Sequence, residues 1–388
     1  MRFGVVFQFM GPLSGVKVIE LAALGPVPFA GMVLSDLGAG VVRIDRVDQV
    51  GRRSRSARHL VIDRGRRSIA IDLKSTEGLE LLLSMVEDAD VLMEGYRPGV
   101  AERLGFGPDT CQERNPRLTY GRATGWGQEG PLSATAGHDI DYIALAGALD
   151  PIGRAGGPPS IPLNFVGDNG GGGMFLALGI VCSLFESTRS GIGQVVDAAM
   201  VDGAALLTTV FHGLISSGDW QAARGTNLLD SGAPFYDVYE TADGKFMAVG
   251  AIEPQFYAEL LNILEIQDVE VTEQMERTSW PITKERLAAV FKSHNRDYWT
   301  RKFETSDACV APVLGMSEAS GHPHNQLRGT FVEVEGVTQP APAPRFGRTP
   351  GSITRSPALP GTHTDEILSE LGKTSASITK LRARGVVA

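Results

Sequence analysis

The run Val16-Lys17-Val18-Ile19-Glu20-Leu21 is followed by apolar residues at helical spacing over 26–37, then by Gly38-Ala39-Gly40 and Val41-Val42-Arg43-Ile44-Asp45. The first and last runs have strand character, and the glycines end the helix between them. Strand, helix, strand is a βαβ unit, the usual start of a parallel, doubly wound sheet. An acidic residue closing the second strand also suits a dinucleotide fold. The first turn, Ala22-Ala23-Leu24-Gly25-Pro26, has no GxGxxG, so a nicotinamide site loses its main support.

Working outward, further strands are predicted at 68–72, 91–93, 117–122 and 194–198. A helix capped at Ser75 sets Leu79, Leu82, Leu83 and Val86 on one face. The apolar run 174–185 reads as a central buried helix whose glycine-rich start supplies unpaired amides, and 200–216 as a helix closing the domain. Residues 235–240 and 245–251 flank Thr241-Ala242-Asp243-Gly244, a hairpin signal. Helices are predicted from Glu253-Pro254-Gln255 and over 281–291 and 296–303, with a buried strand over 309–314. The expected organisation is α/β: a large Rossmann-like parallel-sheet domain over 1–223, a linker over 224–234, a small α+β domain over 235–335, and a tail over 336–388. The tail is proline-rich from 340 to 350 and is expected to return to the large domain or wrap a partner, ending in short helices at 364–371 and 378–384.

The chain has 388 residues, 43% hydrophobic and 21% charged, the balance of a globular protein with sizeable cores. A net charge of −9 argues against a dedicated nucleic-acid binder, which needs a basic surface to displace counterions. Cys111, Cys182 and Cys309 have no spacing for zinc or a disulfide framework, so a reducing compartment is the simplest fit. Residues 1–10 read as an extension or a frayed strand. No later run looks long and apolar enough to cross a membrane, and Gly385-Val386-Val387-Ala388 is not the simple peroxisomal tripeptide. The expectation is a cytoplasmic enzyme without membrane insertion.

Two turns carry candidate chemistry. Gly137-His138-Asp139-Ile140-Asp141-Tyr142 puts a titratable base beside a carboxylate at a helix start. Val166-Gly167-Asp168-Asn169, followed by Gly170 to Gly173, sets an aspartate where backbone can approach a ligand. Asp139 and Asp168 are equally readable as ordinary helix caps. Residues 51–67 hold seven arginines, Arg52, Arg53, Arg55, Arg58, Arg64, Arg66 and Arg67, either a solvated loop or a landing site for a phosphorylated ligand. Lys74, Arg97 and Arg103 fall in loops at the carboxyl ends of strands, where such sheets bind ligands. There is no HExxH and no CxxC.

Gly11-Pro12-Leu13, Asp36-Leu37-Gly38-Ala39, Gly95-Tyr96-Arg97-Pro98-Gly99, Gly125-Trp126-Gly127-Gln128, Gly167-Asp168, Val196-Asp197-Ala198 and Gly361-Thr362-His363-Thr364-Asp365 together resemble the class III CoA-transferase superfamily across nearly the whole chain. Within it, Gly137-His138-Asp139, Asp230-Ser231-Gly232-Ala233-Pro234 and Gly250-Ala251-Ile252-Glu253-Pro254-Gln255-Phe256-Tyr257 are similar to the alpha-methylacyl-CoA racemases. The resemblance implies an interlocked homodimer acting on a 2-methylacyl-CoA, with no resident cofactor because CoA is part of the substrate. It makes His138 and Asp168 opposing bases, with Asp139 beside them and Glu253 of the partner subunit hydrogen-bonded to His138. It puts Arg46, Lys74, Arg97 and Arg103 on CoA, and Tyr142 with them. The rival within the superfamily is a CoA-transferase in which Asp168 is the nucleophile and carries the acyl group. A non-catalytic acyl-CoA sensor is a third reading, against which an intact His138, Asp168 and Glu253 speak.

Overall fold

The computed structural model describes residues 11–52 and 56–388. Residues 1–10, together with Arg53 and Arg55 of the arginine run, lie outside the described residues. The chain divides into two compact units: one of residues up to Ala146 with Leu163–Leu207 and His324–Ala388, the other of Gly147–Pro162 and Thr208–Pro323. The helix expected over 200–216 is two helices that meet at Thr208, and the unit boundary falls there rather than at 223.

In the first unit β1 (Lys17–Leu21), β2 (Gly40–Asp45), β3 (Arg67–Ala70), β4 (Val91–Glu94), β5 (Thr119–Thr124) and β6 (Val195–Ala199) form one parallel sheet in the order β3-β2-β1-β4-β5-β6. Side chains alternate faces along a strand, and here both faces are covered. Val18, Val91 and Met93 pack with α1 (Pro26–Asp36), while Ile19 and Leu92 pack with α2 (Thr76–Val86) on the opposite face. Pro26 opens α1, where a missing N–H costs nothing, and Ser75 caps α2 by accepting from Gly78 N–H at 3.0 Å. Four short helices follow in sequence: α3 (Val100–Leu104), α4 (Pro108–Arg114), α5 (Asp139–Leu145) and, after the long α6 (Phe175–Ser190), α7 (Met200–Leu207).

The glycine run corrects one expectation. Gly170 to Gly173 lie inside a π-helical stretch, Phe165–Met174, that continues into α6, so they do not form a free helix start. Nor is α6 buried all round: Leu176, Ala177 and Ile180 face the sheet, whereas Leu178 and Phe185 are 56% and 65% exposed. Together Phe165–Ser190 is long and apolar enough to cross a membrane, with a mean hydropathy of 1.4, contrary to the sequence reading. Its buried face joins the core of the parallel sheet, as in the core helix of a layered fold.

Within the arginine run Arg64, Arg66 and Arg67 are taken up in ion pairs, while Arg52 and Arg58 are exposed. Arg66 is fully buried, with Nε 2.8 Å from Glu20 Oε2 and further bonds to the carbonyls of Ile62 and Pro28. Arg64 pairs with buried Asp36 at 2.5 Å and reaches Gln339 and Pro340 at 3.0 and 2.7 Å. Arg67 bridges to Glu366 and Glu370 in the helix Thr364–Glu370. Arg64 and Arg67 tie the tail back to the sheet, as does an antiparallel bridge from Ile71 to Val387. Ile367, Leu368, Leu381 and Val387 complete the core beneath β1, and Phe331–Val334 pairs with Val337–Pro340 in a hairpin the sequence reading missed.

The second unit is α+β. Strands β7 (Tyr236–Glu240), β8 (Phe246–Gly250) and β9 (Val310–Pro312) form an antiparallel sheet. It packs with α9 (Pro254–Ile263), α10 (Trp280–Phe291) and α11 (Arg296–Phe303), while α8 (Thr209–Ser217) begins the unit. The strand expected to be buried over 309–314 is instead the partly exposed β9 at the sheet edge.

Replacing Arg66 by Ala leaves Glu20 buried and unpaired, and urea unfolding at pH 7 is expected to show a loss of about 3–5 kcal/mol. Burial already raises the Glu20 carboxyl against the pull of Arg66. Without Arg66 it rises further, and a protonated carboxyl is cheaper to bury, so the deficit narrows as pH falls from 8 to 5.

Candidate active site

The strand order turns back between β1 and β4, and a sheet of this kind binds ligands outside its carboxyl edge at that point. A cavity of about 460 Å³ opens there, walled by residues 22–26 after β1, 95–98 after β4 and 123–126 at the end of β5. His138, Asp168 and Tyr142 line it together with Arg97 and Met200.

His138 is the N-cap of α5, in extended backbone, and its own N–H donates to Asp141 Oδ2 at 2.9 Å. The cap is therefore His138 and not Asp139. Asp139 reaches across instead, accepting from Asp168 N–H through Oδ2 at 2.6 Å and also from Gly167 N–H. One carboxyl thus joins the start of α5 to the start of the π-helical stretch and fixes the backbone of Asp168. Burial, with the Asp168 charge adding to it, pushes the Asp139 carboxyl up, while the two amides pull it down. Gly167 is required at this crossing, because a Cβ would lie 2.5 Å from Asp139 Oδ2.

Two contacts at Asp168 were not anticipated from the sequence. Asn164 Nδ2 donates to Asp168 Oδ2 at 3.3 Å, one turn earlier in the same stretch. Gly25, in the first βα turn with φ 72°, leaves room for the Asp168 carboxyl, since its Cβ would sit 3.1 Å from Oδ1. The glycine in that turn is the signal the sequence offers for this contact. Tyr142 is buried and packs edge-on to Trp126, with ring centroids 4.7 Å apart. Gly125 and Gly137 admit the Tyr142 ring: a Cβ on them would lie 2.1 and 2.6 Å from it.

The other expected residues are distributed differently. Arg46 and Lys74 are exposed beyond β2 and β3 and do not line the cavity, and Arg46 pairs with Asp48 at 2.8 Å. Arg103 on α3 is exposed, its guanidinium close to Gly99. Glu253 belongs to the second unit, exposed at the N-cap of α9, where Gln274 Nε2 holds the preceding carbonyls of Ala251 and Ile252 at 3.0 and 2.8 Å. Among the described residues, no group of three or more His, Cys, Asp or Glu could hold a metal ion.

Residues 13–364 match CoA-transferase family III. The chain belongs to that family. It is 47% identical over 378 residues to the alpha-methylacyl-CoA racemase of Mus musculus and 45% identical over 378 residues to that of Homo sapiens, each alignment covering 97% of both chains. A CAIB/BAIF family protein from Brucella suis shares the fold, with a TM-score of 0.79, 24% identity, and coverage of 93% of this chain and 99% of the other. The residues matched to family III take in His138, Asp168 and the whole of the cavity wall.

In this family III chain, Gly125→Ala drives a methyl group into the Tyr142 ring. Ligand turnover is expected to fall on the order of a hundredfold, since an ångström of misplacement in a site has that effect. Near-UV circular dichroism from Trp126 and Tyr142 should change while far-UV spectra stay the same. An unchanged turnover would show that the ring is not part of the site.

Proposed function

We propose that this chain interconverts (2R)- and (2S)-2-methylacyl-CoA thioesters by 1,1-proton transfer. The observation that carries the reading is that His138 and Asp168 line one cavity at the switch point of the sheet. Similarity to racemases over 97% of the chain supports it.

Inversion needs the α C–H bond broken on one face and remade on the other, and two bases on opposite sides of the carbon do this without moving the substrate. One base takes the proton while the electron pair moves into the thioester carbonyl. The enolate then takes a proton from the other base, so nothing is oxidised and no co-reactant is consumed. Sulfur donates weakly into the carbonyl, which makes this enolate more accessible than an ester's. We assign its oxygen to backbone N–H groups at the start of α5 beyond that of His138, which Asp141 already holds. Asp139 and Asn164 act as positioning residues for Asp168 through the hydrogen bonds described above. Arg97 and Tyr142 meet the CoA portion in the cavity, and Arg46 and Lys74 on loops and Arg103 on α3 lie at the carboxyl edge where its phosphates would extend.

The reading includes a homodimer, with the two compact units as its large and small domains and Glu253 of the partner subunit orienting the His138 imidazole. Met174, Leu178 and Phe185 form an exposed apolar stripe along 174–185, a surface that association would cover.

The test is isotope exchange in deuterated water with each pure enantiomer of a 2-methylacyl-CoA. His138→Ala and Asp168→Ala are each expected to slow racemisation by about 10²–10⁴-fold. Each variant should still exchange the enantiomer whose proton faces the remaining base. Equal exchange of both enantiomers by His138→Ala would end the two-base assignment. Transfer of CoA from the thioester to a free carboxylic acid, with release of the original acyl group as its acid and lost in Asp168→Ala, would replace racemisation by the transferase reading.

A further inference from the structure

One fully buried carboxyl at the cavity edge takes no part in that chemistry. Glu94 ends β4 with no exposed surface, and the chain passes directly from it into Gly95, Tyr96 and Arg97 of the cavity wall. Its Oε2 accepts from Tyr96 N–H at 2.5 Å and its Oε1 from Arg122 Nε at 3.1 Å. Arg122 is the register partner of Glu94 on β5, is 7% exposed, and lies 2.9 Å from Glu102 on α3. A single carboxylate therefore holds the backbone of the cavity loop and, through Arg122, the helix that follows it.

We propose that Glu94 is a positioning residue for acyl-CoA binding, clamping the Tyr96–Arg97 wall as a carboxylate and releasing it on protonation. This rests on the reading of the cavity as an acyl-CoA site. Each oxygen of Glu94 accepts from one N–H donor, so a proton added to either turns a charge-assisted bond at that oxygen into a weaker neutral one. The positive charge of Arg122 disfavours a proton on Oε1, so the proton goes to Oε2 and the Tyr96 N–H contact is the one that weakens.

The groups facing Glu94 are Arg122 and Tyr120 from β5, Glu102 from α3, and Tyr96 in the loop, whose phenol feels Arg46 beyond β2. Burial pushes the Glu94 carboxyl up to about 7, with the Tyr96 N–H and Arg122 opposing and Glu102 adding to the rise. The carboxylate form therefore dominates above that pH and the released form below it.

Titration calorimetry of the full chain with free coenzyme A from pH 5.5 to 8.5 tests the proposal. For the unmodified protein the dissociation constant is expected to rise about tenfold from pH 8 to pH 6. The secondary phosphate of CoA titrates near 6 and contributes in every variant, so the Glu94 part is the difference from Glu94→Gln. In Glu94→Gln that part is expected to vanish and KM to rise, while kcat keeps its pH profile. Glu102→Gln changes a side chain that is 43% exposed and removes a charge that raises Glu94, so its step should move to lower pH. That variant carries the test if Glu94→Gln fails to fold. Binding that is equally pH-dependent in Glu94→Gln, or a step unmoved in Glu102→Gln, overturns the proposal and leaves the acyl-CoA reading standing. Absence of CoA binding at every pH removes both.

Discussion

After β1 the chain crosses to α1 on one face of the parallel sheet, and after β4 it continues to α3 and α4 on the other. The two strands are neighbours, so their departing loops separate and leave a crevice that no side chain of the sheet can fill. The site depends on that divergence. The cavity is walled by the turns that leave β1, β4 and β5, and the helix starts that bring His138 and Asp168 converge on it from later in the chain. A sheet with its strands in simple sequential order would offer no such opening between β1 and a neighbour.

Within the crevice, backbone is held by carboxylates more than by side-chain packing. Asp139 accepts from the amides of Gly167 and Asp168, and Glu94 accepts from the amide of Tyr96. Each is an acidic group at a point where the chain turns, and each holds the backbone of a residue that lines the cavity, Asp168 in one case and Tyr96 in the other. The arrangement demands glycine where the carboxylates come close: Gly167 against Asp139, and Gly25 against Asp168 itself. The glycine-rich character of these turns follows from close approach, and at Gly25 from a left-handed φ as well.

Charge elsewhere in the large unit serves the opposite purpose. Arg64 and Arg66 are buried in ion pairs that knit β1, α1 and the tail hairpin together, and removing one partner of such a pair is costlier than the pair itself is stabilising. Arg67 pins the tail helix from outside. Arg64, Arg66 and Arg67 thus act as fastening within the large unit. The pairing partners come from residues 20, 36, 339, 366 and 370, so their role depended on contacts at long sequence distance.

The amino-acid sequence by itself determined the strands and helices whose apolar periodicity is strong, from the first βα unit through the hairpin of β7 and β8 to α11, because local patterning settles those elements. It also singled out His138 and Asp168, and its motifs pointed to CoA-transferase family III, which the match over 13–364 bears out. The tertiary structure decided what local pattern leaves open. His138 rather than Asp139 caps α5, the glycine run is a π-helical interior, α6 exposes Leu178 and Phe185, and the tail pairs with the large unit. Asp139 is drawn to the amides of Gly167 and Asp168, and the tail to Ile71, by partners that meet only when the sheet brings together residues far apart in the chain.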